Sequence, residues 1–268
     1  MIETAYAKIN LALHVRGRRS DGYHELETLF AFVDAGDVLS AKPAPQDEIR
    51  TLGEFARQLT DPFDNIVAKA LQALSHGPGW AVTLEKNLPV AAGLGGGSAD
   101  AGAVFRMVEA QFGLPDDWQS RASKLGADVP ACVLSATCIG RGTGTELGPG
   151  PQDLAGTPVL LVNPRIPVPT GPIFSFWDGK DSGPLEGETA WDIATLNGND
   201  LQDIAICHHP EIVEVLNALS ETATFLRRMS GSGATCFALY ETASKRDAAA
   251  TAILSAHPDW WQMAGNLR

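Results

Sequence analysis

A chain of 268 residues, 44% hydrophobic and 19% charged, has the composition of an ordinary globular protein with room for one large domain or two modest ones. A formal net charge of −12 repels nucleic acid and anionic lipid, so any phosphate site must reverse the sign locally. No run of about 18 apolar residues suggests a membrane span, Met1-Ile2-Glu3-Thr4 lacks the basic start of a signal peptide, and Cys132, Cys138, Cys207 and Cys236 form no Cys-x-x-Cys pair, which points to reduced thiols and a cytoplasmic protein.

Residues 5–15 alternate as a strand, with Ala7, Ile9, Leu11, Leu13 and Val15 on one face and Lys8, Asn10, Ala12 and His14 on the other. A turn at Ser20-Asp21-Gly22 leads to strands over 26–32 and 37–41. Residues 61–65 read as a helix entrance, followed by an apolar stripe of Ile66, Val67, Ala70, Leu71 and Leu74 that Gly77 ends. A strand over 80–86 precedes a glycine-rich loop, and a helix runs from about Ser98 to Phe112 until Gly113-Leu114-Pro115 stops it. A shorter helix covers 117–125, and Gly126-Ala127-Asp128-Val129-Pro130 turns into another. Residues 140–158 are rich in Gly and Pro and mark the best boundary between a domain over 1–150 and one over 151–268. Beyond it come a short strand over 159–162, an irregular stretch over 163–190, helices over 200–206 and 210–220, strands over 224–229 and 235–240, a helix over 244–256, and a strand near Trp260. That order suits an α+β layer with helices on one face of an antiparallel sheet.

The most informative stretch is Pro89-Val90-Ala91-Ala92-Gly93-Leu94-Gly95-Gly96-Gly97-Ser98-Ala99, with four glycines in the five positions 93–97. Such a loop is poor core material, but it lets backbone N–H groups approach an anion, and a helix N-terminus behind it adds positive potential. It is not a P-loop, since no Gly-Lys-Ser/Thr follows, and it fits a dinucleotide fingerprint poorly because Pro89 and two alanines separate the strand from Gly93. A flexible surface loop is the plainer alternative; it fits badly between a clean strand and a helix. Other positions are ambiguous singly. Lys8 and Asn10 suit a solvated sheet face, His24 a loop donor, Asp128 a helix N-cap, and Gly231-Ser232-Gly233 a hairpin turn.

Taken together the segments resemble the GHMP kinase superfamily over nearly the whole chain. Ala7-Lys8-Ile9-Asn10-Leu11, the loop from Pro89 to Ala99, and Ser230-Gly231-Ser232-Gly233-Ala234 carry the resemblance, with Asp64-Asn65-Ile66-Val67 as a weaker match. Asp21-Gly22-Tyr23-His24-Glu25-Leu26 and Leu125-Gly126-Ala127-Asp128-Val129-Pro130 resemble its cytidine-recognising branch. Ala99-Asp100 stands where Ser-Asn is common, adding a negative charge in the helix's first turn. The resemblance implies an α+β, two-lobed GHMP kinase fold, with an N-terminal lobe like ribosomal protein S5 domain 2 and a C-terminal ferredoxin-like lobe. It implies transfer of the ATP γ-phosphate to the 2-hydroxyl of 4-diphosphocytidyl-2-C-methyl-D-erythritol in non-mevalonate isoprenoid synthesis. Asp128 would take the hydroxyl proton, and Lys8 would pair with it and offset charge near the transferred group. Pro89, Val90, Ala91, Ala92, Gly93, Leu94, Gly95, Gly96, Gly97, Ser98 and Ala99 would wrap the ATP phosphates, with Mg²⁺ bound mainly through ATP and no dedicated protein ligands. Asn10 would bind the methylerythritol, Tyr23 and Phe174 would sandwich the cytosine, and His24 would read its edge. Partners would be small molecules only, with no nucleic acid and no membrane, and the protein would be a monomer or homodimer. Another GHMP kinase acting on mevalonate, homoserine or a sugar, and a non-catalytic nucleotide-binding regulator, are the competing possibilities.

Overall fold

A computed structural model describes residues 1–59 and 65–268. The chain groups into two compact units that interleave along the sequence, one made of Met1–Lys8, Ala35–Val90 and Gly95–Ser135, the other of Ile9–Asp34, Ala91–Leu94 and Ala136–Arg268.

Strands β1 (Ile2–Arg18) and β2 (His24–Pro43) contribute to both units. In the first, β2 pairs antiparallel with β4 (Trp80–Glu85), and β3 (Glu48–Leu52) pairs parallel with β4. The helices here are α1 (Ile66–Ala73), α2 (Gly96–Phe112), α3 (Trp118–Leu125) and α4 (Val129–Leu134). Asn65 caps α1, its Oδ1 accepting from the Val67 N–H at 2.9 Å; the rest of the expected helix entrance, 61–64, lies outside the described residues. Small residues line α2 where it meets α4: a Cβ at Gly102 would stand 2.5 Å from the carbonyl oxygen of Cys132.

In the second unit β2 pairs antiparallel with β5 (Cys138–Gly142), which pairs with β6 (Glu146–Pro149). A separate four-stranded antiparallel sheet follows the order β10-β7-β9-β8, with β7 at Pro158–Asn163, β8 at Leu226–Met229, β9 at Cys236–Leu239 and β10 at Trp261–Asn266. Helices α5 (Thr170–Ser175), α6 (Ala190–Leu196), α7 (Gln202–His208), α8 (Glu211–Ser220) and α9 (Ala243–Ala256) complete it. Its core joins Leu13 and Val15 of β1 to Leu160, Val162, Met229 and Cys236 of the sheet and Ile212, Val215 and Ile253 of the helices. The antiparallel sheet with helices agrees with the α+β expectation.

Several expectations are corrected. The strands placed over 26–32 and 37–41 are one strand; Gly36, between them, sits where a Cβ would be 1.9 Å from the Ala5 carbonyl oxygen, so it permits close backbone approach within the sheet. The Gly-rich stretch after 137 holds the β5–β6 hairpin, and a Cβ at Gly140 would meet the Phe30 ring at 2.5 Å. The stretch over 163–190 is not wholly irregular, since α5 forms within it. Both faces of β1 are buried over 7–15, so the solvated-face alternative for Lys8 and Asn10 fails.

Candidate active site

Within the first unit, β1 brings Lys8 to Asp128. Nζ lies 3.0 Å from Oδ2, and the Lys8 side chain is 5% exposed against 30% for Asp128. Asp128 occupies the N-cap position of α4, yet its side chain makes no capping bond. The capping alternative is therefore excluded, and the carboxylate is turned to Lys8 instead. Gly126 supports this turn, its carbonyl accepting the Val129 N–H at 3.1 Å, and a Cβ there would stand 3.6 Å from the Ser98 hydroxyl oxygen.

The glycine loop reaches the same pair. Gly95 is the N-cap of α2 in the left-handed conformation, at φ +60. A Cβ on it would lie 3.1 Å from Lys8 Cε and 3.5 Å from Asp128 Oδ2, so the backbone runs close against the pair, and the left-handed conformation favours glycine there. Helix α2 begins at Gly96, two residues earlier than expected, and has no side-chain cap. Its first N–H groups lie beyond the reach of intrahelical acceptors and point out of the N-terminus, beside the Lys8 ammonium. The early start also moves Asp100 out of the first turn; it is buried inside the unit against Lys86.

In the second unit, residues 91–94 are bonded to the Ser230-Gly231-Ser232-Gly233-Ala234 turn. Ser230 Oγ donates to the Gly93 carbonyl at 2.8 Å, the Thr235 N–H donates to the Ala92 carbonyl at 3.2 Å, and a Cβ at Gly93 would lie 2.2 Å from the Ser230 carbonyl oxygen. Asn10 joins this network. Its backbone N–H donates to Ser230 Oγ at 3.2 Å and its Nδ2 to Thr28 Oγ1 at 2.8 Å, and Thr28 in turn donates to the Ala12 carbonyl at 2.6 Å.

The same unit holds an aromatic group. The His24 ring lies 5.2 Å from Phe174, tilted at 38°, and 5.9 Å from Trp177 with its edge toward it. Its Nε2 is buried without a hydrogen-bond partner. Burial, with the Arg18 charge adding to it, holds the imidazole below its ordinary pKa. Arg18 fixes the end of α5 by donating to the carbonyls of Ser175 and Trp177. Tyr23 precedes His24 in a turn closed by the Arg19 N–H on the Tyr23 carbonyl, and the residue is 63% exposed.

The family model for the GHMP kinases N terminal domain matches residues 65–136, and the GHMP kinases C terminal model matches residues 189–259. The 4-diphosphocytidyl-2-C-methyl-D-erythritol kinase of Novosphingobium aromaticivorans is 69% identical over 266 residues, covering 99% of this chain and 92% of the relative. The kinase of the same name from Erythrobacter litoralis is 60% identical over 270 residues and covered to 99% on both sides. The chain belongs to the GHMP kinase family, among the 4-diphosphocytidyl-2-C-methyl-D-erythritol kinases. A crystal structure of a 4-(cytidine 5'-diphospho)-2C-methyl-D-erythritol kinase matches with a TM-score of 0.82 at 33% identity, covering 100% of this chain and 99% of the other. Homoserine kinase from Cytophaga hutchinsonii, at 15% identity and a TM-score of 0.67 over 97% of this chain and 95% of its own, shares the fold.

In this GHMP kinase the geometry joins Lys8, Asp128 and Gly95, and separately His24 and Phe174. Sequence reasoning missed Trp177 and Arg18, which frame His24, and the Thr28 hydroxyl that orients Asn10. It also missed a buried cluster of Asp37, Lys86 and Asp100. A lysine closing an apolar strand at position 86, followed fourteen residues later by an acid inside an alanine-rich helix, was the available signal. Among the described residues no helix is long and apolar enough to cross a membrane.

Proposed function

We propose that the chain transfers the γ-phosphate of ATP to the 2-hydroxyl of 4-diphosphocytidyl-2-C-methyl-D-erythritol, a step of non-mevalonate isoprenoid synthesis in the cytoplasm. The observation that carries the mechanism is the Lys8–Asp128 pair, 3.0 Å apart, lying against Gly95 at the open N-terminus of α2. The substrate oxygen attacks the γ-phosphorus, the bond from that phosphorus to the β–γ bridging oxygen breaks, ADP leaves, and the hydroxyl proton passes to Asp128. General-base assistance of this kind is worth about 10²–10⁴-fold. The Lys8 ammonium orients the carboxylate and offsets charge on the group in transit. Residues 89–99 wrap the phosphates, their N–H groups and the α2 N-terminus supplying the positive potential that the acidic surface lacks.

The oxygen donors beside Gly95 and Gly126 are Asp128 and Ser98. Mg²⁺ would enter as part of the MgATP substrate and would supply charge neutralisation on the phosphates.

Tyr23 and Phe174 stack on the cytosine, His24 reads its edge with a neutral imidazole, and Asn10 hydrogen-bonds the methylerythritol. The buried, unpartnered Nε2 of His24 supports this assignment, since a polar atom in that state gains from a ligand group. The test is an ADP-release assay over a panel of alcohols, with phosphorus NMR of the product. The cytidylyl polyol turns over at least a hundredfold faster than mevalonate, homoserine or galactose and carries its new phosphate on O2. Equal turnover across the panel, or preference for another alcohol, would overturn the assignment.

A further inference from the structure

Beneath the phosphate loop the first unit buries three ionisable side chains with side-chain exposures of 0% for Asp37 and 2% for Lys86 and Asp100. Lys86 Nζ donates to Asp37 Oδ2 at 2.5 Å and to Asp100 Oδ2 at 2.7 Å. The other oxygen of Asp37 accepts the backbone N–H groups of Asn87 at 2.5 Å and Leu88 at 2.8 Å, the residues that lead into the loop. Asp100 lies on the second turn of α2, just past the loop. A Cβ at Gly96 would stand 3.2 Å from Lys86 Nζ and 3.6 Å from Leu88 Cβ, so the ammonium is packed directly under the first residue of α2. One side chain thus links the segment entering the loop to the segment leaving it.

Stability does not explain such a cluster. Removing charges from water is costly, and apolar residues of similar volume commonly replace buried ion pairs without loss. A buried ionic link does fix geometry, because its partners hold only at short, directed distances. We propose that Lys86, held by Asp37 and Asp100, is a positioning residue that sets the spacing of the two loop ends, 86–88 and 96–100, at which the α2 N–H groups bind the ATP phosphates. The proposal rests on the nucleotide-binding assignment above. The charge state agrees with it. Two carboxylates share one ammonium, one oxygen of Asp100 is buried without a partner, and burial pushes the Asp100 carboxyl up to about 8 against the pull of Lys86. At neutral pH Asp100 then keeps its proton, and no net negative charge lies under a loop that must attract a polyanion.

Two variants test this, Lys86→Met alone and an uncharged triple of Asp37→Asn, Lys86→Met and Asp100→Ala. The triple leaves no buried ion, and the Asp37→Asn change keeps a side-chain oxygen that accepts the two loop N–H groups without a charge. Calorimetric binding of MgATP, which needs no acceptor, is measured with thermal melting and with KM for each substrate. The triple is expected to melt within a few degrees of wild type, to bind MgATP at least tenfold more weakly, and to change KM for the cytidylyl substrate less than threefold. Lys86→Met alone is expected to weaken MgATP binding by at least as much. MgATP affinity within threefold of wild type in the folded triple, a parallel rise of both KM values, or a triple that does not fold would overturn the positioning role. Wild-type protein that binds MgATP but leaves the cytidylyl polyol unphosphorylated would instead count against the proposed function.

Discussion

Gly102→Ala adds one buried methyl group between α2 and α4 and should still impair catalysis. The new Cβ would stand 2.5 Å from the Cys132 carbonyl oxygen, 2.6 Å from its carbon and 2.9 Å from its Cβ, whereas ordinary contact begins at 3.4 Å. The obstacle is backbone, so no rotamer change relieves it, and α2 and α4 must part by about 0.9 Å (3.4 less 2.5). The far end of α4 is tethered. Arg106 of α2 donates to the Cys132 carbonyl at 2.5 Å and to Ser135 Oγ at 2.8 Å, while its other nitrogens hold Glu3 and the Thr4 carbonyl. The displacement therefore reaches Asp128, one turn before Cys132 and bonded to it through the Cys132 N–H at 3.0 Å. Misplacing a reacting group by about 1 Å costs on the order of 10²-fold in rate, or about 2.7 kcal/mol of barrier. Overpacking destabilises by about 1–3 kcal/mol, partly offset by alanine's helix propensity, worth about 1 kcal/mol over glycine. Steady-state kinetics should show kcat reduced roughly a hundredfold, with a melting temperature a few degrees lower. Gly198→Ala is the control, because a Cβ there meets nothing within 4 Å. A Gly102→Ala enzyme with kcat within threefold of wild type would refute the claim that this helix contact sets the position of Asp128.

Tyr23→Ala should leave the melting temperature unchanged, since the residue is 63% exposed. Loss of one base-stacking partner is worth about 1–3 kcal/mol, so KM for the cytidylyl substrate should rise roughly tenfold or more while KM for ATP stays within twofold; equal rises would make Tyr23 a structural residue. Asp100 gives a pH signature: its folded pKa of about 8 lies above the ordinary carboxyl value of 3.8, so between those limits the folded protein keeps a proton that the unfolded chain has released. Stability contributed by that proton is full at low pH and is lost as pH rises toward 8. Asp100→Asn should therefore gain stability relative to wild type from pH 5 to pH 8 in urea melts, and a difference independent of pH would contradict the buried, protonated carboxyl.

How much of this was legible in the sequence depends on the range of each signal. Alternation over 5–15 located β1 and put Lys8 and Asn10 on one face, because strand periodicity is local. It could not say that this face is buried, since burial is decided by elements distant in the chain. The approach of Lys8 to Asp128, 120 positions away, has no periodic trace; only the resemblance in the segments around them pointed to it. Glycine was legible only in part. The Gly- and Pro-rich run over 140–158 read as a boundary, although Gly140 permits close approach inside a sheet. Gly95 read correctly as a loop residue, and the structure adds the reason, a left-handed backbone at φ +60. Asp128 showed the signature of an N-cap, and only the geometry reveals that its carboxylate serves another partner. Asp37 carried no motif, and Asp100 showed only as an unexpected charge after the loop, because a buried cluster assembled from β2, the end of β4 and α2 leaves isolated charges in otherwise apolar segments.

The most direct measurement is turnover by Asp128→Asn, with dissociation constants for MgATP and for the cytidylyl polyol determined on the same protein. An amide cannot take the hydroxyl proton, so kcat should fall by about 10²–10⁴-fold while both ligands bind within severalfold of wild type. Wild-type turnover by this variant would show that the carboxylate beside Lys8 is not the base.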